Sequence, residues 1–172
     1  GRIIQLRDTG ASMSVRNEFT SLMHNEMAEN EDVILILGDL GYGHFNQHRI
    51  DFPDRVINPL AAEQLMVGMA TGLALDGKIP VCYSITPFVI FRPYELLRNF
   101  LDHESIPVKL VGSGRDKDYG GLGFSHWGTD DRTHLNSFKN IKKFRPKDAE
   151  EMRDDFSDFM YNGKPSYVNL SR

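Results

Sequence analysis

Asp32-Val33-Ile34-Leu35-Ile36-Leu37 is an apolar run behind one aspartate, closed by Gly38-Asp39. A strand with one wet face alternates apolar and polar side chains, so an unbroken run fits a strand buried on both faces of a parallel sheet. The flanking sequence repeats the message. Upstream, Ser14 is placed to cap a helix in which Val15, Phe19, Leu22, Met23 and Met27 recur at helical spacing until Asn30-Glu31. Downstream, Gly38 to Gly43 reads as a loop, Arg55-Val56-Ile57-Asn58 as a second short strand, Ala61 to Asp76 as a helix ended near Gly77, and Pro80 to Ile85 as a third strand. A helix is then expected from about Phe91 to His103, a strand at Val108-Lys109-Leu110-Val111 and a glycine-rich loop from Gly112 to Gly123. A short helix after Thr129, a helix over Asp148 to Tyr161 with an acidic first turn, and a strand at Ser166-Tyr167-Val168-Asn169-Leu170 complete the chain. Strands alternating with helices over short connections predict an α/β fold: a doubly wound, mostly parallel sheet with helices on both faces, binding ligands beyond the carboxyl ends of its strands.

A length of 172 residues allows one sizeable core, read as one domain over residues 14–172 behind an N-terminal arm at 1–13. The apolar fraction of 40% and charged fraction of 26% are those of a globular domain, and a net charge of −4 gives no footprint for nucleic acid. No apolar run approaches the roughly 18 residues that span a bilayer. The single Cys82 lies in an apolar run and reads as a buried thiol in a reducing compartment, with the cytoplasm as the expected location.

Chemistry concentrates after the strands. In Asn58-Pro59-Leu60-Ala61-Ala62-Glu63-Gln64-Leu65-Met66-Val67-Gly68, Glu63 opens a helix whose apolar stripe includes Ala62, Leu65, Met66, Met69, Ala70 and Leu73. A carboxylate desolvated there needs a partner or stays protonated, although an ordinary first-turn acid favoured by the helix dipole is the plain alternative. Asp39 follows the first strand, Phe88, Phe91 and Tyr94 the third, and His126 the glycine loop. His44 and His48, four apart, lack a third metal ligand, and no metal site is read from the sequence. The loop Gly112 to Gly123 matches neither the Walker spacing nor the dinucleotide fingerprint, and Ser84 and Ser125 lack a nucleophile elbow. By periodicity alone Phe88, Phe91 and Tyr94 read as core, Asp39 as a turn cap, and His126, Arg16 and Arg172 as surface groups.

Several motifs in order change that balance. Asp54-Arg55-Val56-Ile57-Asn58, Ala62-Glu63-Gln64, the stretch from Gly68 to Pro80, and Pro87-Phe88-Val89-Ile90-Phe91-Arg92-Pro93-Tyr94-Glu95 together resemble the pyrimidine-binding domain of transketolases and related thiamine diphosphate enzymes, over nearly the whole chain from Ser14 to Arg172. The resemblance implies that Glu63 contacts the ring nitrogen of the cofactor's aminopyrimidine. That contact favours the imino tautomer, whose exocyclic nitrogen removes the thiazolium C2 proton, and a carboxyl that burial biases toward its neutral form suits the exchange. It further implies that Phe88, Phe91 and Tyr94 surround the aminopyrimidine, that Asp39 lies at the cofactor's edge, that His126 faces the substrate, and that Arg172 and Arg16 hold a sugar phosphate through their planar donors.

The resemblance is incomplete. Leu122 stands where transketolases carry an aspartate that senses a sugar hydroxyl, and Gly114 where they tend to carry a phosphate-binding histidine. No Gly-Asp-Gly motif with its downstream Asn is present, so the diphosphate and its magnesium or calcium ion need oxygen ligands from elsewhere. The resemblance therefore implies a subunit or fragment, inactive alone, that pairs with a diphosphate-binding chain or domain as a homodimer or heterotetramer. The Met66, Met69 and Ala70 side of the Glu63 helix is expected near that interface. Ketol transfer between sugars or sugar phosphates is the leading reading. A decarboxylating synthase, an oxo-acid dehydrogenase β component and a non-catalytic interaction domain are the alternatives.

Overall fold

The computed structural model describes residues 13–172; the rest of the expected N-terminal arm lies outside them. The chain runs α1 (Val15–Glu29), β1 (Val33–Leu37), α2 (Asn46–Asp51), β2 (Val56–Ile57), α3 (Glu63–Leu75), β3 (Ile79–Ile85), α4 (Thr86–Phe91), α5 (Tyr94–Leu96), β4 (Lys109–Ser113), α6 (Asp131–Leu135), β5 (Lys142–Phe144), α7 (Ala149–Tyr161) and β6 (Ser166–Leu170). Six parallel strands form one sheet in the order β2-β1-β3-β4-β6-β5. Both neighbours of β1 follow it in sequence, one on each side, so the strand order reverses there and opens a crevice at the carboxyl ends of β1 and β3.

The unbroken apolar run of β1 follows from helices on both faces. Val33, Leu35 and Leu37 face a core with Phe19, Met23 and Met27 of α1 and Met152, Phe156 and Phe159 of α7. Ile34 and Ile36 face Met66, Val67 and Ala70 of α3, Val89 and Ile90 of α4, and Leu97 and Leu101. At about 25 cal/mol per Å² of apolar area removed from water, these two layers supply most of the drive to fold. Caps fix where helices begin: Ser14 Oγ accepts from the Asn17 N–H at 3.2 Å, and Asp148 Oδ1 from the Glu151 N–H at 2.9 Å. Each such cap is worth about 1 kcal/mol. Cys82 is fully buried, and burial pushes its thiol up.

The structure corrects several sequence expectations. The helix expected from Phe91 to His103 starts instead at Thr86, directly off β3, with Pro87 in its first turn where a missing N–H costs nothing. Pro93 interrupts it; the chain restarts at Tyr94 and continues as a π-helical turn over Leu97–His103. Strand β4 extends through Gly112 and Ser113 into the expected loop, because Gly112 lets Thr86 and Tyr167 press against the backbone: a Cβ there would stand 2.7 Å from Thr86 Oγ1 and from Tyr167 Oη. Helix α2 and strand β5 have no counterpart in the sequence pattern. The first has no apolar stripe, and the second is an edge strand whose two lysines face solvent. Met66 and Ala70 are fully buried in this chain's own core, so the outward face of α3 carries Leu65, Gly68, Gly72 and Leu75 instead.

Candidate active site

The site grows from the crevice between β1 and β3. The register pairs Leu37 with Tyr83, which sets Gly38 beside Ser84 at the strand ends. Next to them a tight turn delivers Glu63. Asn58 Oδ1 accepts from the Leu60 N–H at 2.9 Å and the Asp39 N–H at 3.3 Å, while Asp39 and Leu60 hold left-handed backbones at φ 53° and 65°. Two strained residues locked by one side chain mark a place where geometry outweighs local stability.

Glu63 is 1% exposed. Its Oε1 accepts from Ser84 Oγ at 2.7 Å and its Oε2 from Arg92 Nη1 at 2.6 Å. Of the two outcomes open to a desolvated carboxyl, the structure shows the partnered one. Gly38 is required beside it: a Cβ there would stand 2.8 Å from Ser84 Oγ and 3.2 Å from Glu63 Oε1. Above the pair, the Arg92 guanidinium lies 3.7 Å from the Phe88 ring centroid, and Phe88 meets the His126 ring edge-on at 5.0 Å. His126 Nδ1 is within 3.0 Å of Ser125 Oγ. Glu63, Phe88 and His126 are therefore brought together by three different strand ends.

Phe91 and Tyr94 turn toward other partners. Phe91 meets His134 edge-on at 4.8 Å, and Tyr94 packs on Phe138 at 5.2 Å and against the core beneath α3 and α4.

Beyond the ends of β1, β3 and β4 runs a cleft of about 300 Å³ lined by Arg16, Asp39, Tyr42, His44, Tyr119 and Arg172 among others. Asp39 Oδ1 accepts from Tyr42 Oη at 2.7 Å, and that carboxylate pushes the phenol's pKa up. The Arg172 guanidinium lies 4.6 Å from the Tyr119 ring centroid, and Tyr119 Oη is 3.1 Å from Ser113 Oγ. Burial, then the charges of Arg16 and Arg172, hold the His44 pKa below its ordinary value. Two guanidinium groups beside a neutral imidazole suit an anion. Gly114 is tied to this cleft: its φ is +90°, and a Cβ would come within 2.4 Å of the Tyr119 ring. Thr86 Oγ1 and Asn169 Nδ2 fix the Gly114 carbonyl at 2.6 and 3.3 Å, so the loop toward His126 leaves β4 from a rigid base.

Gly38, Ser84, Arg92 and Tyr119 are the contacts that sequence reasoning missed. A register of β1 against β3 finds the first two. Nothing local marks Arg92 or Tyr119 as a partner of a residue 29 or 5 positions away. Among the described residues no group of three or more His, Cys, Asp or Glu is placed to hold a metal ion, and no helix is long and apolar enough to cross a membrane.

A parallel α/β domain with one buried acid at its switch point, aromatic and histidine side chains close to it and a cleft lined by two arginines has the layout in which such folds bind ligands. The chain belongs to the family described as the transketolase pyrimidine-binding domain, which it matches over residues 11–172. It is 36% identical over 120 residues, covering 70% of this chain and 39% of the relative, to one subunit of the apulose-4-phosphate transketolase of Actinobacillus succinogenes. It is 31% identical over 122 residues, covering 71% of this chain and 39% of the relative, to a putative transketolase C-terminal section of Methanocaldococcus jannaschii. A split-gene transketolase, described as an inactive β4 tetramer, shares the fold with a TM-score of 0.81 at 24% identity, over 94% of this chain and 52% of that one. The chain thus spans about half or less of the length of these proteins.

Proposed function

We propose that this chain is the pyrimidine-binding subunit or section of a transketolase-like thiamine diphosphate enzyme that transfers a two-carbon ketol unit between sugars or sugar phosphates. One observation carries the reading: a single buried carboxylate, Glu63, stands at the switch point with Phe88 and His126 gathered above it. An aminopyrimidine needs one acid at a ring nitrogen and an aromatic face, and these residues fit both requirements. When bound, thiamine diphosphate would supply a thiazolium carbon that, after losing its proton, is nucleophilic toward a ketose carbonyl.

The chain's own residues do the rest. Glu63 exchanges a proton with the ring nitrogen through its outer oxygen Oε2, while Ser84 and the tight fit of Gly38 hold the inner oxygen still. Phe88 gives the ring a face to stack on and Asp39 closes one edge, while Phe91 supports this wall through His134. His126 faces the substrate and shuttles a proton at the carbonyl oxygen. Arg16 and Arg172 take the substrate's phosphate or another anionic end, with neutral His44 as a further donor. Tyr94 supports this wall through Phe138 and need not touch the ring. Tyr119, which packs where a side chain at position 114 would stand, lines the cleft and favours a substrate other than an ordinary pentose phosphate.

The diphosphate and its magnesium or calcium ion belong to a partner chain or domain, a reading supported by relatives described as one subunit of a transketolase and as a C-terminal section. A homodimer or heterotetramer and a cytoplasmic, reducing setting accompany it, the latter in keeping with the buried Cys82 thiol. Reconstitution with that partner, thiamine diphosphate and magnesium tests the reading: ketol transfer dependent on both chains supports it, and activity from this chain alone overturns the shared site.

A further inference from the structure

Glu63 has two partners of different character. Ser84 reaches Oε1 from the buried floor, whereas Arg92, whose side chain is 42% exposed, reaches Oε2 from the open side. The Arg92 guanidinium makes two contacts at once: a 2.6 Å hydrogen bond to Glu63 and a 3.7 Å approach to the Phe88 ring centroid. A planar group bearing N–H donors that lies over Phe88 and bonds to Glu63 has the contact pattern required of an aminopyrimidine. Two planar groups cannot occupy that one place.

We propose that Arg92 is the cofactor ring's stand-in: it holds the buried Glu63 carboxylate and covers Phe88 until the ring displaces it. The inference rests on the thiamine diphosphate reading above. A carboxylate with 1% exposure is costly to leave unpaired, so the free chain needs a cation there. Arg92 can leave cheaply because it stands at the carboxyl end of α4, just before Pro93 stops the helix, with its head partly in water. Displacement then couples arrival of the ring to release of a positive charge into the substrate side of the crevice. The structure also makes the binding-competent state a minority of the free protein, which weakens apparent affinity by that fraction.

The test measures thiamine diphosphate affinity, with magnesium, in the assembly of this chain with its diphosphate-binding partner, by calorimetry or quenching of intrinsic fluorescence. Arg92→Leu is expected to bind about tenfold tighter than wild type, corresponding to a competent fraction near one tenth. Arg92→Lys keeps the charge but loses the planar contact; it is expected to tighten binding by a smaller factor, and it reads the effect if Arg92→Leu does not fold. In a Glu63→Gln background, where no buried charge needs a cation, Arg92→Leu should change affinity less than twofold. Unchanged or weaker binding by the Arg92 variants, or an equal gain in the Glu63→Gln background, overturns the exchange while leaving the function standing. Failure of the wild-type assembly to bind thiamine diphosphate overturns the function itself.

Discussion

Ser84 Oγ donates a 2.7 Å hydrogen bond to Glu63 Oε1 between the carboxyl end of β3 and the first turn of α3, and neither group is exposed beyond 1%. A hydrogen bond to a buried charged group is worth about 1.5–3 kcal/mol. Ser84→Ala is therefore expected to lower unfolding free energy by about that much in urea titrations, and to weaken thiamine diphosphate binding because Glu63 loses its fixed position. A Ser84→Ala protein of unchanged stability would show that the contact is incidental.

Gly38 is the steric counterpart of that bond. With a Cβ 2.8 Å from Ser84 Oγ and 3.0 Å from Ser84 Cβ, Gly38→Ala must push β3 or Glu63 aside. Overpacking of this kind costs about 1–3 kcal/mol. A thermal melt should record the loss, with the cofactor dissociation constant rising in parallel; a melt equal to wild type would contradict the geometry.

The Gly114–Tyr119 pairing predicts an asymmetric result. Gly114→His alone should destabilise the chain by about 2 kcal/mol or more, from strain at φ +90° and collision with a ring 2.4 Å away. Adding Tyr119→Gly should recover the steric part only. Denaturant titration of both proteins checks this, and full recovery in the double variant would mean that backbone strain at position 114 is negligible.

His48 makes stability depend on pH. It is 2% exposed and meets His24 and Phe45 edge-on at 5.0 Å each. Burial, then His24, bring its pKa from 6.5 down to about 4. Because the folded value is the lower one, the unfolded chain takes up the proton first as pH falls. The contribution is intact above about pH 6.5 and is lost progressively toward about pH 4. Linkage puts the loss at about 2–3 kcal/mol. Urea titrations of wild type and His48→Phe at pH 7.5 and 4.5 should show that much less pH dependence in the variant; parallel losses would assign the effect to other groups.

The sequence showed the fold most clearly where burial on both faces leaves no choice of residue. Val33 to Leu37, the Val15 to Met27 stripe and the Ser14 cap all appear as read, and the helix expected from Asp148 starts one residue later with Asp148 as its cap. It failed where local pattern and tertiary context part. Lys142-Lys143-Phe144 is a strand only because β6 offers it an edge, and Asn46–Asp51 is a helix without an apolar stripe. Glu63 stood out as a carboxylate in an apolar setting, and Phe88 and His126 through their motifs. Ser84 and Arg92, which give Glu63 its partners, did not, because side chains 21 and 29 positions away leave no periodic trace. Tyr94 shows the opposite limit: its motif pointed to the ring, while its neighbours are Phe138 and the core.

The central claim is that Glu63 exchanges a proton with the cofactor's pyrimidine ring. Hydrogen–deuterium exchange at the thiazolium C2 position, followed by proton NMR on thiamine diphosphate bound to the reconstituted assembly, measures it most directly. Replacing Glu63 by Gln is predicted to slow that exchange by roughly 10²–10⁴-fold while the diphosphate end stays bound. Exchange at the wild-type rate in the Glu63→Gln assembly would contradict the account.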